Sequence, residues 1–149
     1  MNDEHACHPA MTPGRPPMQT LDVCHRVFPG DRDQVARARE FVRVALGPVP
    51  VLDEAVLLVS ELCTNALLHT ASGDGGTFEV AVYQHSFWLR VEVTDDGADQ
   101  SPAVAQAADA LAEEGRGLGL VRLLADHWGH CGDHDGRSVF FELNWKQPD

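Results

Sequence analysis

The chain has 149 residues, enough for one domain with a single core, and its apolar fraction of 44% is ordinary for a globular protein. A formal net charge of −12 opposes a nucleic-acid backbone, whose binding depends on Lys and Arg neutralising phosphates, and so argues against nucleic acid as a partner. Cys7, Cys24, Cys63 and Cys131 show no paired spacing, which fits a reduced cytoplasmic setting. No basic n-region with an apolar run is seen, and no apolar stretch nears the roughly 20 residues of a membrane span, so neither export nor a membrane is expected.

Residues 1–19 are rich in Pro, Gly and polar groups without an apolar period and read as a disordered tail ahead of one domain, 20–149. His5, Cys7 and His8 in that tail have metal-ligand chemistry but no rigid frame. Alternation of Leu21, Val23, His25 and Val27 predicts a strand ended by Pro29-Gly30. Asp31 or Asp33 is then placed to cap a helix through about Leu46, with Val35, Ala38, Phe41, Val42 and Ala45 on one face and Arg37, Arg39 and Arg43 turned away. "GPVP" ends it.

A second helix is expected from Leu52 to about Thr70, and "SGDGG" then turns the chain into a hairpin. Phe78, Val80 and Val82 alternate on its first strand, and Phe87, Leu89, Val91 and Val93 on its second, with His85-Ser86 between them. The alanine-rich "ADQSPAVAQAADALAEE" has helical composition but little to bury, and reads as a mobile segment. A further helix is predicted from Leu118 to about His127, and Val139, Phe141, Leu143 and Trp145 alternate along a last strand after a turn at Gly136.

Residue types with chemistry gather in three places. At about 100° per residue the second helix lines Leu52, Ala55, Val56, Val59, Leu62, Cys63 and Ala66 along a core stripe. On the opposite side Glu61, Asn65 and His69 recur every fourth residue, beside Leu57, Leu58 and Leu68. Polar groups among leucines need partners: a ligand or metal would supply them, and so would mutual hydrogen bonds at the helix edge. The second is "VEVTDDG", where a carboxylate fixed at a strand end, Asp95, can accept a hydrogen bond from an exocyclic amine while Gly97 leaves room for a base. A plain Asp-x-Gly turn has the same sequence.

The third is "EEGRGLGLVRLLADHWG", which sets Gly115, Gly117 and Gly119 before an apolar helical run. Bare backbone at a helix start suits an anion such as phosphate, although a flexible linker has similar composition. The dinucleotide fingerprint needs another glycine spacing directly after a strand, and a Walker loop needs Lys-Ser/Thr where Leu120-Val121 stand, so both are rejected. "HWGHCGDH" offers His127, His130, Cys131 and His134 at spacings a zinc site uses, yet nothing in the pattern makes these side chains converge.

Glu-x-x-x-Asn-Ala-x-x-His on a helix, Asp-x-Gly after a strand and Gly-x-Gly-x-Gly before a helix, in this order, resemble the nucleotide site of the GHKL ATPases: gyrase, heat-shock-ninety chaperones, histidine kinases and MutL proteins. "FPGDRDQVARAREFV", "SELCTNALLHT", "GRGLGLV" and the "WG" before the last hairpin look like the single-domain anti-sigma-factor serine/threonine kinases of bacteria, from about residue 21 to the end. The resemblance implies an α/β (α+β) two-layer sandwich, with a mixed, mostly antiparallel sheet, helices on one face, and ATP between helices and a lid. It implies ATP and Mg²⁺ as ligands, and a sigma factor and an anti-sigma antagonist as protein partners, with a homodimer seen among relatives.

By position, the resemblance implies that Asn65 binds Mg²⁺, that Glu61 orients or deprotonates the attacking hydroxyl, and that Asp95 holds the adenine amine beside Gly97. His69 and Ser138 line the nucleotide in the same scheme. Gly115, Gly117 and Gly119 present main-chain N–H groups to the phosphates, with Arg116 and Leu118 between them. Two departures stand out: "GADQSP" lacks the second lid glycine common after Asp-x-Gly, and Ser138 replaces a threonine. The first keeps open a reading from another class, a protein-binding module that holds ATP without catalysis.

Overall fold

The computed structural model describes residues 22–69, 76–95, 118–133 and 136–146. In chain order these form β1 (Asp22–Pro29), α1 (Asp33–Leu46), α2 (Leu52–His69), β2 (Thr77–His85), β3 (Trp88–Asp95), α3 (Leu118–Leu124), β4 (His127–Asp133) and β5 (Gly136–Asn144). The strands make one sheet in the order β1-β2-β3-β5-β4. All four pairings among the described strands are antiparallel, in keeping with the mostly antiparallel sheet expected. The result is an α+β sandwich of the kind GHKL-type ATPases have, with the helices over one face.

Period-two alternation decides which face that is. Val80 pairs with Val93, Val82 with Val91, Val91 with Phe141 and Leu89 with Leu143, and all of these side chains are buried. Against them α2 lays Ala55, Leu58, Val59, Leu62, Cys63 and Ala66, while α1 adds Ala38, Val42 and Leu46. Phe28 stacks on Phe78 at 5.4 Å between ring centroids and meets Phe41 edge-on, fixing α1 over the β1–β2 edge. The apolar alternation read in β1 belongs to the other face: Val23 and Val27 are exposed, and Phe28 is the residue that enters the core.

Several local expectations change. Neither Asp31 nor Asp33 caps α1, whose N-cap is Arg32 without a side-chain hydrogen bond. Phe87 lies in the two-residue turn Ser86–Phe87, not on β3, and Ser86 takes φ 31°. The third helix stops at Leu124, and His127 opens a strand. That strand lacks an alternating apolar code because its neighbour demands a glycine: a Cβ on Gly129 would lie 2.8 Å from Cε1 of Phe140, the residue it pairs with.

The helix-free face holds an ion cluster that no sequence pattern announced. Arg90 and Glu142 face each other in register across β3 and β5, with Nη1 donating to Oε2 at 2.9 Å, at 1% and 0% exposure. Arg90 Nε donates to Glu92 at 2.7 Å, its guanidinium lies 3.7 Å above the Phe140 ring, and Trp88 Nε1 donates to Glu142 at 3.4 Å. Removing one member leaves a buried charge short of its partner, which typically costs about 3–5 kcal/mol. Glu142→Ala is therefore expected to lose about 3 kcal/mol or more in urea unfolding. Glu142→Gln, which keeps an acceptor, should lose less, and equal losses would show that packing volume outweighs charge.

Candidate functional site

The candidate site lies on α2, where Asp53 and Glu54 in the first turn oppose the positive end of the helix dipole. The wheel places the core stripe as expected except at Leu58, which is fully buried rather than beside Glu61. Leu57 is exposed. Glu61 and Asn65 are half-buried one helical turn apart, and neither side chain bonds to another described residue. A half-buried carboxylate and amide without partners among the described residues keep their capacity for a ligand.

Asp95 ends β3 on the helix-covered face, because it continues the alternation of Leu89, Val91 and Val93. It sits opposite Phe78 of β2 and Arg137 of β5. The C-terminal half of α2 lies at this end of the sheet. Gly30, just before α1, donates to the Gly76 carbonyl just before β2, and the first half of α1 runs beside Ser60, Thr64 and Leu67. Glu61, Asn65 and Asp95 thus share one end of one layer interface. α3 packs on α2 through Leu120 and the buried Val121, and a Cβ on Gly119 would meet nothing within 4 Å.

Ser138 is placed differently. Its hydroxyl lies 2.6 Å from that of Thr94, its cross-strand partner, and both residues point to the face opposite Asp95. The side chains of His69 and Leu118, and all of Gly97, Gly115, Arg116 and Gly117, lie outside the described residues. In β4, strand alternation puts His127 and His130 on opposite faces, and His127 Nδ1 lies 3.7 Å from Glu142. Among the described residues no group of three or more His, Cys, Asp or Glu gathers to hold a metal ion. No described helix is long and apolar enough to cross a membrane.

Sequence reasoning also missed Arg39. It is half-buried, not turned away, and its Nη1 donates to Ser60 Oγ at 3.3 Å, tying α1 to the site helix. An arginine on an otherwise solvated face carries no signal of such a contact until the neighbouring helix is known. On the inner side of α2, burial pushes the Cys63 thiol up to about 12, while the Arg39 charge pulls the other way.

With this geometry in hand, the model for the histidine kinase-like ATPase domain matches residues 28–140, well over half of the chain. Comparison with curated proteins found no match.

The buried thiol yields a prediction. Its pKa is raised on folding, so the stability it contributes is whole below the ordinary value of 9.0 and is lost as pH rises toward about 12. The stability gap between the wild type and Cys63→Ala should narrow over that alkaline window in urea titrations. Native-state alkylation followed by mass spectrometry should label exposed Cys24 and spare buried Cys63.

Proposed function

Because the chain belongs to the histidine kinase-like ATPase domain family, which implies ATP binding, we propose that it is an ATP-dependent regulatory protein of the anti-sigma-factor serine/threonine kinase type. It transfers the γ-phosphoryl group to a hydroxyl of an antagonist protein in a partner-switching system, whose other partner is a sigma factor. The observation that carries this reading is the half-buried Glu61–Asn65 pair, without partners among the described residues, at the sheet end that holds Asp95.

The donor set fits the nucleotide and its cation. The Asn65 amide oxygen is a hard donor of the kind Mg²⁺ takes, and the Asp95 carboxylate accepts from an exocyclic amine. Bound Mg²⁺ would neutralise phosphate charge, which a chain of net charge −12 supplies only sparingly itself. Open space at Gly119 suits close approach of phosphate to the backbone, with Gly115, Arg116 and Gly117 preceding it. Glu61 accepts the proton of the attacking hydroxyl as its oxygen bonds to the γ-phosphorus and the bond to the ADP oxygen breaks.

A second reading is favoured by "GADQSP", where the second lid glycine is absent: a module that binds ATP and exchanges protein partners without catalysis. Mutant behaviour separates the two. Glu61→Ala should leave Mg-ATP binding within a few fold and lower single-turnover phosphoryl transfer by roughly 10²-fold or more. Asn65→Ala should weaken Mg-ATP itself, so that binding and turnover fall together, and EDTA should reproduce its binding defect. Absence of transfer by the wild type to any captured protein, with Mg-ATP still bound, selects the non-catalytic module.

Asp95→Asn tests where the base sits. The amide can present a donor where an acceptor is needed, so ATP should weaken and the preference for adenine over guanine should fall, as read by calorimetric titration with both nucleotides. Unchanged preference would move the base away from Asp95.

A further inference from the structure

A concavity lies about 100° around α2 from Glu61 and Asn65, at the seam with α1. It is a groove of about 290 Å³ lined by Arg32, Val35, Arg39, Ser60, Thr64 and Leu67. Among the described residues no carboxylate lines it, although the chain carries 23 Asp and Glu against 11 Lys and Arg. Neither Arg32 nor Arg39 forms a salt bridge with a described residue, whereas Arg43, farther along α1, is paired with Glu40. Arg39 is held in place by its bond to Ser60, so one guanidinium is pre-positioned while exposed Arg32 is free to close on a ligand.

The remaining lining defines the ligand further. Thr64 Oγ1 donates to the Ser60 carbonyl, while the Ser60 hydroxyl accepts from Arg39 and keeps its own proton to donate. Val35 and Leu67 supply half-buried apolar walls, which a bare inorganic anion would leave uncovered. The pocket therefore asks for a carboxylate with aliphatic carbon beside it. We propose that the α1–α2 groove docks an acidic, aliphatic-flanked segment of the protein partner, with its carboxylate between Arg32 and Arg39. The inference names the partner's chemistry and rests on the reading above for there being a partner. Ser60 and Glu61, like Thr64 and Asn65, are consecutive residues, so the docked segment and the nucleotide lie on adjoining sides of one helix.

The probe is a short fluorescein-labelled peptide of Leu-Glu-Asp repeats, set beside its amide counterpart of Leu-Gln-Asn repeats, with binding to the full chain read by anisotropy. The acidic peptide should bind, weaken with salt and outcompete the amide peptide. Arg39→Gln and Thr64→Glu should each weaken it about tenfold or more, the scale of one lost or opposed charge contact. Arg43→Gln, on the same helix outside the groove, should stay within about twofold. Arg39→Gln also loses the bond to Ser60, so exposed Thr64→Glu keeps the test readable if the first variant folds poorly. Equal binding of the two peptides, or wild-type binding by Thr64→Glu, overturns the inference. Mg-ATP is titrated on the same samples: nucleotide binding without peptide binding refutes the groove alone, and peptide binding without nucleotide binding refutes the ATP reading alone.

Discussion

The register between β3 and β5 is the constraint on which the rest of the molecule depends, and the buried Arg90–Glu142 pair specifies it. Alternation has period two, so a slip of one residue would turn Leu89, Val91 and Val93 out of the core and bury Arg90 against the helices without Glu142. A hydrophobic pair would tolerate such a slip better than a guanidinium bound to two carboxylates and lying on an aromatic ring. The same register puts Asp95 on the helix side and Ser138 on the other. A charge cluster on the face away from the candidate site thereby decides which side chains reach it.

Helix α2 then divides three tasks around its circumference. One stripe, from Ala55 to Ala66, is spent on the sheet. The next carries Glu61 and Asn65, half-buried, and the third faces α1 with Ser60, Thr64 and Leu67. Because the helix is rigid at the scale of one turn, a ligand on either polar stripe acts on the same few backbone units. For a protein proposed to couple nucleotide state to partner choice, that adjacency gives a short physical path between the two events.

Charge is arranged to match. The chain is strongly acidic overall, yet among the described residues the α1–α2 seam is lined by arginines and by no acid. Long-range repulsion from the body would keep acidic partners at a distance at low salt, while the seam offers the local exception. Within the site the same acidity explains why a divalent cation belongs to the proposed chemistry: the described residues around Glu61 and Asn65 are not basic enough to neutralise a triphosphate.

How much of this was legible beforehand follows from the range of each interaction. The helix stripes, the β2–β3 hairpin, the final strand and the Glu61–Asn65 edge are local patterns, set by periodicity within one element, and the sequence determined them. The ordered trio of motifs also led to the correct family without any coordinates. β4 carries no apolar alternation of its own, because its fitness for a strand lies in Phe140, the residue whose ring excludes a Cβ at Gly129. Leu58 was misplaced because wheel angles near the stripe's edge are settled by what packs there. Arg39 read as a solvated charge, and nothing local marked Arg90 or Glu142, since their partners stand on other elements, as far as 52 positions away for Arg90 and Glu142. Only the tertiary structure decided those, because burial of a charge is a property of the neighbours that desolvate and pair it, and no single element contains them.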